Sequence, residues 1–207
     1  MTARRTHVIK VGGSLLERAD APAAIRAWVD ADRQRDPAPL QIIVVGGGQP
    51  VDWLRRLDQR GGLGTQAAHD AAIAMMDATA LVVASWLPGA VVTDDWRAVS
   101  RPAAGDSGGA ESPTVFLPRR FLCGVEPTLP GVKLPVGWAV TSDSIAGRIA
   151  CLLAARLTLL KAQAFATPTR ADEWEAAAER GVVDRFFPAV AAGIPQIKIA
   201  TLGEPGA

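Results

Sequence analysis

The sequence predicts an α/β sandwich built on a mostly parallel sheet. Three observations carry that expectation. Two short β-branched runs, residues 8–11 (Val-Ile-Lys-Val) and 41–45 (Gln-Ile-Ile-Val-Val), each end directly in glycines, and the second is apolar after Gln41, as suits a strand of a parallel sheet buried on both faces. A helix-spaced segment over 21–35 separates them, with Ile25, Trp28 and Val29 on one face, so that strand, helix and strand form a βαβ unit. Strand-like and helix-like segments then alternate to the end of the chain.

Taken in order, the first helix is stopped by Asp36-Pro37-Ala38-Pro39. A second helix is expected over 50–59, with Pro50 acceptable in its first turn. After the break at Gly61-Gly62-Leu63-Gly64, Thr65 is placed to cap a longer helix over 66–79, its apolar face carrying Ala68, Ala72, Met75 and Met76. Strands are expected over 90–93 and 114–117, and the Pro-, Gly- and Ser-rich stretch 101–113 between them reads as a mobile loop or lid. A second Pro/Gly-rich stretch, 128–137, marks a lobe boundary within a single domain spanning 1–207. Beyond it Thr141-Ser142-Asp143-Ser144 is a cluster of capping residues that opens an apolar helix to about residue 155. A buried strand over 157–160 ends at Lys161, an amphipathic helix over 170–180 closes at Gly181, and a short helix over 188–192 precedes a last strand over 196–202.

The composition narrows the class. Of 207 residues, 49% are hydrophobic and 21% charged, which excludes a largely disordered chain. Twenty-two basic against twenty-one acidic residues give a net charge of +1, so no broad electrostatic footprint for nucleic acid or an anionic membrane is expected. Apolar runs such as 149–155 are stopped by Arg148 and Arg156, and the N-terminus leads into a strand without a signal-like apolar region, so the chain reads as cytoplasmic. Cys123 and Cys151 are too few for a disulfide framework and lack metal-site spacing. Lysine is scarce, four against 18 arginines, which draws attention to each position that keeps one.

Lys10 lies two residues before Gly12, Gly13 and Ser14, and a glycine turn at the carboxyl end of a parallel strand lets backbone N–H groups approach an anion. The same residues also suit an ordinary tight turn beside a solvated lysine. Gly46, Gly47 and Gly48 repeat the arrangement after the second strand, putting both turns on the sheet edge where open α/β sheets bind ligands. Neither cluster completes a dinucleotide fingerprint, because Val51 stands where the last glycine is required, and there is no P-loop. Asp143 reads either as a helix-capping carboxylate or as the partner of two lysines, one of them Lys161. His69 reads as a surface or core histidine or as a contact of the site, and Trp138 as core or as a wall. Asp94-Asp95 and Asp172-Glu173 read as solvated surface charge, so no metal site is assigned.

Val-Ile-Lys-Val-Gly-Gly-Ser at 8–14, Ile-Val-Val-Gly-Gly-Gly at 43–48 and Val-Thr-Ser-Asp-Ser at 140–144 resemble the motifs of the amino acid kinase superfamily. The resemblance implies a three-layer α/β/α fold with an acceptor-binding lobe over 1–135 and a nucleotide-binding lobe over 136–207. It implies ATP with Mg2+, and a small phosphorylated acceptor. It implies catalytic roles for Lys10, Asp143 and Lys161. Gly12, Gly13, Ser14, Gly46, Gly47, Gly48 and His69 would meet phosphate or acceptor, and Thr141, Ser142 and Lys161 the nucleotide. The stretches 68–75, 138–146 and 183–188 look most like the short kinases that act on (5-(aminomethyl)furan-3-yl)methyl phosphate in methanofuran-type one-carbon cofactor synthesis. Residues 162–168 (Ala-Gln-Ala-Phe-Ala-Thr-Pro) lack the Asp-Gly nucleotide loop that many relatives carry after this strand. Two rivals stand beside this reading: a carboxylate or phosphonate kinase of the same superfamily and, motivated by that departure, a kinase fold that binds nucleotide or oxyanion without turnover. The apolar helices leave room for a homo-oligomer.

Overall fold

The computed structural model describes residues 6–35, 40–100 and 112–203. Six strands form one sheet in the order β3-β4-β2-β1-β5-β6, and every neighbouring pair is parallel. The fold is thus a three-layer α/β/α sandwich. In chain order the elements are β1 (Thr6–Val11), α1 (Ala21–Arg35), β2 (Leu40–Val45), α2 (Gly48–Gln59) and α3 (Thr65–Trp86). They continue as β3 (Val91–Thr93), α4 (Trp96–Ser100), β4 (Thr114–Phe116) and α5 (Pro118–Arg120), then α6 (Ser142–Leu152), β5 (Arg156–Lys161), α7 (Ala171–Glu179), α8 (Phe187–Ala191) and β6 (Ile197–Thr201). The helix stop at 36–39 and most of the loop expected over 101–113 lie outside the described residues.

The two central strands are buried along all but their first residue because both of their faces are covered. Side chains alternate between two cores. Val8, Ile42, Val44, Leu157 and Leu159 pack with α6, α7 and α8 on one face. Ile9, Val11, Ile43, Val45 and Leu160 pack on the other with α1 and the C-terminal part of α3. Lys10 has the parity of Val8, and Lys161 that of Leu159, so both lysines emerge on the α6 side.

Several boundaries differ from the sequence expectation, and α6 ends at Leu152 instead of near residue 155. α2 starts at Gly48, two residues early. α3 runs to Trp86 instead of stopping at residue 79, because Ala80 and Val83 continue its buried stripe. Gly64, in extended conformation, occupies the N-cap position of α3, and Thr65 is its first residue instead of its cap. Among the described residues α3 is the one helix long and apolar enough to cross a membrane by composition. Here Ile73, Met76, Ala80 and Val83 are buried in the domain core. Cutting the sequence at arginines overlooked it, since its charges are the aspartates Asp70 and Asp77.

Two buried polar groups tie distant segments together. Glu126 and Arg148 form an ion pair at 2.9 Å with each side chain only 3% exposed, and Arg148 also donates to the Pro130 carbonyl. This fastens the irregular stretch after α5 onto α6. At the other end of the sheet, His7 Nδ1 donates to Asp32 at 2.7 Å, its Nε2 lies 2.9 Å from the Thr158 hydroxyl, and Gln41 also donates to Asp32.

Candidate active site

β1 and β5 are adjacent, with Lys10 paired to Leu159 and Val11 to Leu160, so Lys161 stands one strand over and two residues further along the same face. Above them lies the N-terminus of α6. Asp143, the second residue of that helix, places Oδ1 2.9 Å from Lys10 Nζ and accepts a hydrogen bond at Oδ2 from Lys161 Nζ at 2.7 Å. Lys10 and Asp143 are each 4% exposed. Of the two readings open for Asp143, the geometry is that of a carboxylate held between two ammonium groups. Burial alone would raise the Asp143 carboxyl, but Lys10 and Lys161 outweigh it and hold the group below the usual carboxylate range. Burial, followed by repulsion from Lys10, pushes the Lys161 ammonium down to about 8 against the pull of Asp143 and Asp184. Two cations against one carboxylate, beneath the positive end of a helix, leave a net positive site at the carboxyl rim of the sheet.

Both glycine turns sit on that rim, with Gly12 N–H donating to Leu160 and Gly46 N–H to Val11. Their relation to each other differs from the expectation of two cradles facing across the lysines. The turns touch. A Cβ on Gly13 would lie 2.3 Å from the Gly48 nitrogen and 2.6 Å from its Cα, and one on Gly46 would lie 2.8 Å from the Gly13 nitrogen. Gly48 also has φ +58, the left-handed region that glycine enters freely. The glycines at these positions are therefore required by backbone-to-backbone packing of the two turns, whatever anion their N–H groups meet. Ser14 is exposed on the short 3-10 turn Gly13–Glu17.

Asp184 is the residue that sequence reasoning missed. Its Oδ2 accepts from the Thr141 N–H and hydroxyl, both at 2.9 Å, and from the Ser144 N–H at 3.0 Å. Its Oδ1 accepts from the Ser144 hydroxyl and from the N–H groups of Phe186 and Phe187. One carboxylate thus joins the start of α6 to the start of α8, and fixes the turn that presents Asp143. The Thr141 hydroxyl, expected to meet nucleotide, is engaged by this internal bond and also accepts from Asp143 N–H at 3.5 Å. The stretch 183–188 stood out in the sequence, but a single aspartate there carried no signal of its role.

Ser142, also expected at the nucleotide, lines a cavity that lies between α2, α3 and α6, together with Gly47 and His69. His69 is half-buried, which lowers its pKa against the opposing effect of Asp70. Its Nδ1 accepts from Gly137 N–H at 3.4 Å, so the neutral ring carries its proton on Nε2. Trp138 is a wall of the same cavity: its Nε1 donates to Asp58 at 2.6 Å, and the Arg55 guanidinium stands over the ring at 4.9 Å. Asp95 accepts from Arg97 N–H at the start of α4, and Asp172 pairs with Arg170, both at exposed positions. Glu173 accepts from the Thr169 and Arg170 N–H groups at the start of α7. Among the described residues no three His, Cys, Asp or Glu side chains cluster as a metal site.

No protein-family model matches the chain, and no curated protein matches it. Solved structures do. The chain is similar to a uridylate kinase from Archaeoglobus fulgidus at 16% identity, with 96% of this chain and 92% of that one covered and a TM-score of 0.61. It is similar to a UMP kinase from Bacillus anthracis at 14% identity, over 98% of this chain and 89% of that one, with a TM-score of 0.62. The parallel six-stranded sheet and its flanking helices therefore have the amino acid kinase fold found in uridylate kinases.

Proposed function

We propose that the chain is an ATP-dependent small-molecule kinase whose acceptor is itself a phosphomonoester. The observation that carries this reading is the buried Lys10–Asp143–Lys161 cluster beside the glycine turns. Phosphoryl transfer needs little covalent help and much charge neutralisation and alignment. Two ammonium groups fixed by one carboxylate supply the first without reorganising during the reaction. The start of α6, held by Asp184, supplies the second. A phosphomonoester oxygen is largely ionised at neutral pH, so no general base is needed, and none of the three clustered residues has to act as one.

The net positive cluster suits the phosphates of ATP, which with Mg2+ would supply the group transferred. In this reading residues 1–135 receive the acceptor and residues 136–207 the nucleotide. Lys10, Lys161 and the N–H groups of Gly12, Gly13 and Gly46–Gly48 hold phosphate oxygens, and His69 offers its Nε2–H to the acceptor. (5-(Aminomethyl)furan-3-yl)methyl phosphate is the first acceptor to try, on the strength of the stretches 68–75, 138–146 and 183–188. The test is transfer from γ-labelled ATP to phosphomonoester, carboxylate and phosphonate acceptors. Lys10→Ala should lower turnover at least ~100-fold with the thermal unfolding of the protein unchanged in cooperativity. Near-normal turnover in that variant would remove Lys10 from the mechanism. The rival binding function is favoured by residues 162–168, which lack the Asp-Gly loop, and retained ATP binding without transfer to any acceptor would establish it.

A further inference from the structure

A second cavity lies at the carboxyl end of α6, where that helix and α8 meet residues 130–132. It measures about 450 Å3, with apolar walls from Pro130, Val132, Leu152, Ala189 and Val190. Cys151 also lines it, eight residues along α6 from Asp143 and so about 12 Å down the helix axis from the lysine cluster. Of the lining residues only Arg148 is charged, and its side chain is 3% exposed. Its Nε donates to Glu126 at 2.9 Å and its Nη2 to the Pro130 carbonyl at 2.7 Å, while Nη1 has no hydrogen-bond partner among the described residues. Gly131 leaves Nη1 uncovered: its φ is +89, and a Cβ there would stand 3.1 Å from that nitrogen. The Cys151 thiol is engaged, donating to the Val190 carbonyl at 3.1 Å. At the end of α6 the carbonyls of Ile149, Ala150 and Cys151 accept from Leu153, Ala155 and Ala154.

We infer that this cavity is a binding site for a small uncharged compound with a compact apolar body and one carbonyl oxygen, which accepts from Arg148 Nη1. The inference is independent of the kinase reading. An anion is disfavoured, because Glu126 already neutralises the guanidinium and the carboxyl end of α6 adds partial negative charge. A cation meets the guanidinium itself. With the thiol and the helix carbonyls engaged, a ligand's own N–H or O–H would go unpaired against Val132, Leu152 and Val190. The oxygen of a ketone, an ester or a tertiary amide gives the buried donor the acceptor it lacks, and a charged donor makes that bond stronger than one between neutral groups. Apolar walls around a single polar anchor are the ordinary make-up of a small-molecule site, and the volume lies within the range such sites span.

The experiment compares cyclohexyl methyl ketone, cyclohexanecarboxylate and cyclohexylammonium on the full chain carrying Cys123→Ser, which leaves Cys151 as its one thiol. Two readouts serve: the rate of Cys151 alkylation by iodoacetamide, followed by mass spectrometry, and the temperature of thermal unfolding. A ligand of this size is expected to bind with Kd on the order of 1 mM. At about 10 mM the ketone should slow alkylation roughly tenfold and raise the unfolding temperature. The carboxylate and the ammonium should slow it less than about twofold and leave unfolding unchanged. Ala189→Trp, which fills the cavity from an exposed position on α8, should abolish the ketone's effect on both readouts. The double variant Glu126→Leu, Arg148→Met should do the same, since it removes the donor without leaving a carboxylate unpaired. Ketone effects that survive either variant, or equal effects from the carboxylate or the ammonium, would overturn the inference. So would an unfolding temperature that the ketone does not move, or alkylation that it does not slow. Should Cys151 resist the reagent even without ligand, unfolding alone decides.

Discussion

Raising the pH from 7 to 9 removes the proton from Lys161, whose ammonium is brought from 10.5 to about 8 by burial and then by Lys10. About nine-tenths of the group is protonated at pH 7 and about one-tenth at pH 9. If its charge stabilises the transferring phosphoryl group, kcat/KM for ATP falls roughly tenfold over that interval. Initial rates of transfer at ATP and acceptor concentrations well below KM, measured from pH 6 to 10, report the fall. Lys161→Arg is the decisive control, because a guanidinium keeps its charge throughout and the slower variant should show no descending limb. A wild-type profile flat from pH 7 to 9, or the same limb in Lys161→Arg, would refute the assignment. Stability should move the other way. The folded pKa lies below the unfolded one, so between about 8 and 10.5 the unfolded chain binds more protons, and the stability contributed by this group rises with pH. Across that window wild type should gain roughly 3 kcal/mol relative to Lys161→Met in urea unfolding.

Other perturbations test the framework around the cluster. Gly13→Ala drives a Cβ to 2.3 Å from the Gly48 nitrogen, where backbone on both sides cannot yield, and should lose about 3 kcal/mol in urea unfolding. Gly124→Ala, whose Cβ meets nothing within 4 Å, should stay within about 0.5 kcal/mol of wild type. Glu126→Ala leaves the Arg148 guanidinium buried without its partner and should cost about 3–5 kcal/mol, most of it regained in the double variant Glu126→Leu, Arg148→Met. Asp184→Asn turns an amide toward N–H and O–H donors, and should lose about 2 kcal/mol in thermal or urea unfolding. Because Asp184 also raises the Lys161 pKa, the alkaline limb of the Asp184→Asn rate profile should move below pH 8.

The parts of this molecule that the sequence announced are those governed by short periods. A β-branched run ending in glycine names a strand and the direction of its rim, and alternation along it assigns Lys10 to a face without coordinates. A capping cluster before an apolar stretch locates Asp143 at a helix start. What stayed hidden depends on chain return. Asp184 acquires six donors only because α8 docks beside α6. Glu126 and Arg148 look like ordinary surface charges until the stretch after α5 folds over them. The glycines illustrate a subtler difficulty: their clustering was read as room for an anion, whereas Gly13, Gly46 and Gly48 make room first for one another. α3 outran its expected end at residue 79 because the later part of its apolar stripe turns toward the opposite core, with Met76 on one side of the sheet and Ala80 and Val83 on the other.

The long reach of Asp184, 43 residues from Thr141, also orders events during synthesis. A chain leaving the ribosome exposes every charged member of the cluster before it exposes the carboxylate that squares them up. Until residues 182–187 emerge, the amides of Thr141 and Ser144 lack their native acceptor, and α6 has no fixed starting angle. The nascent protein therefore carries its ions early and its geometry late.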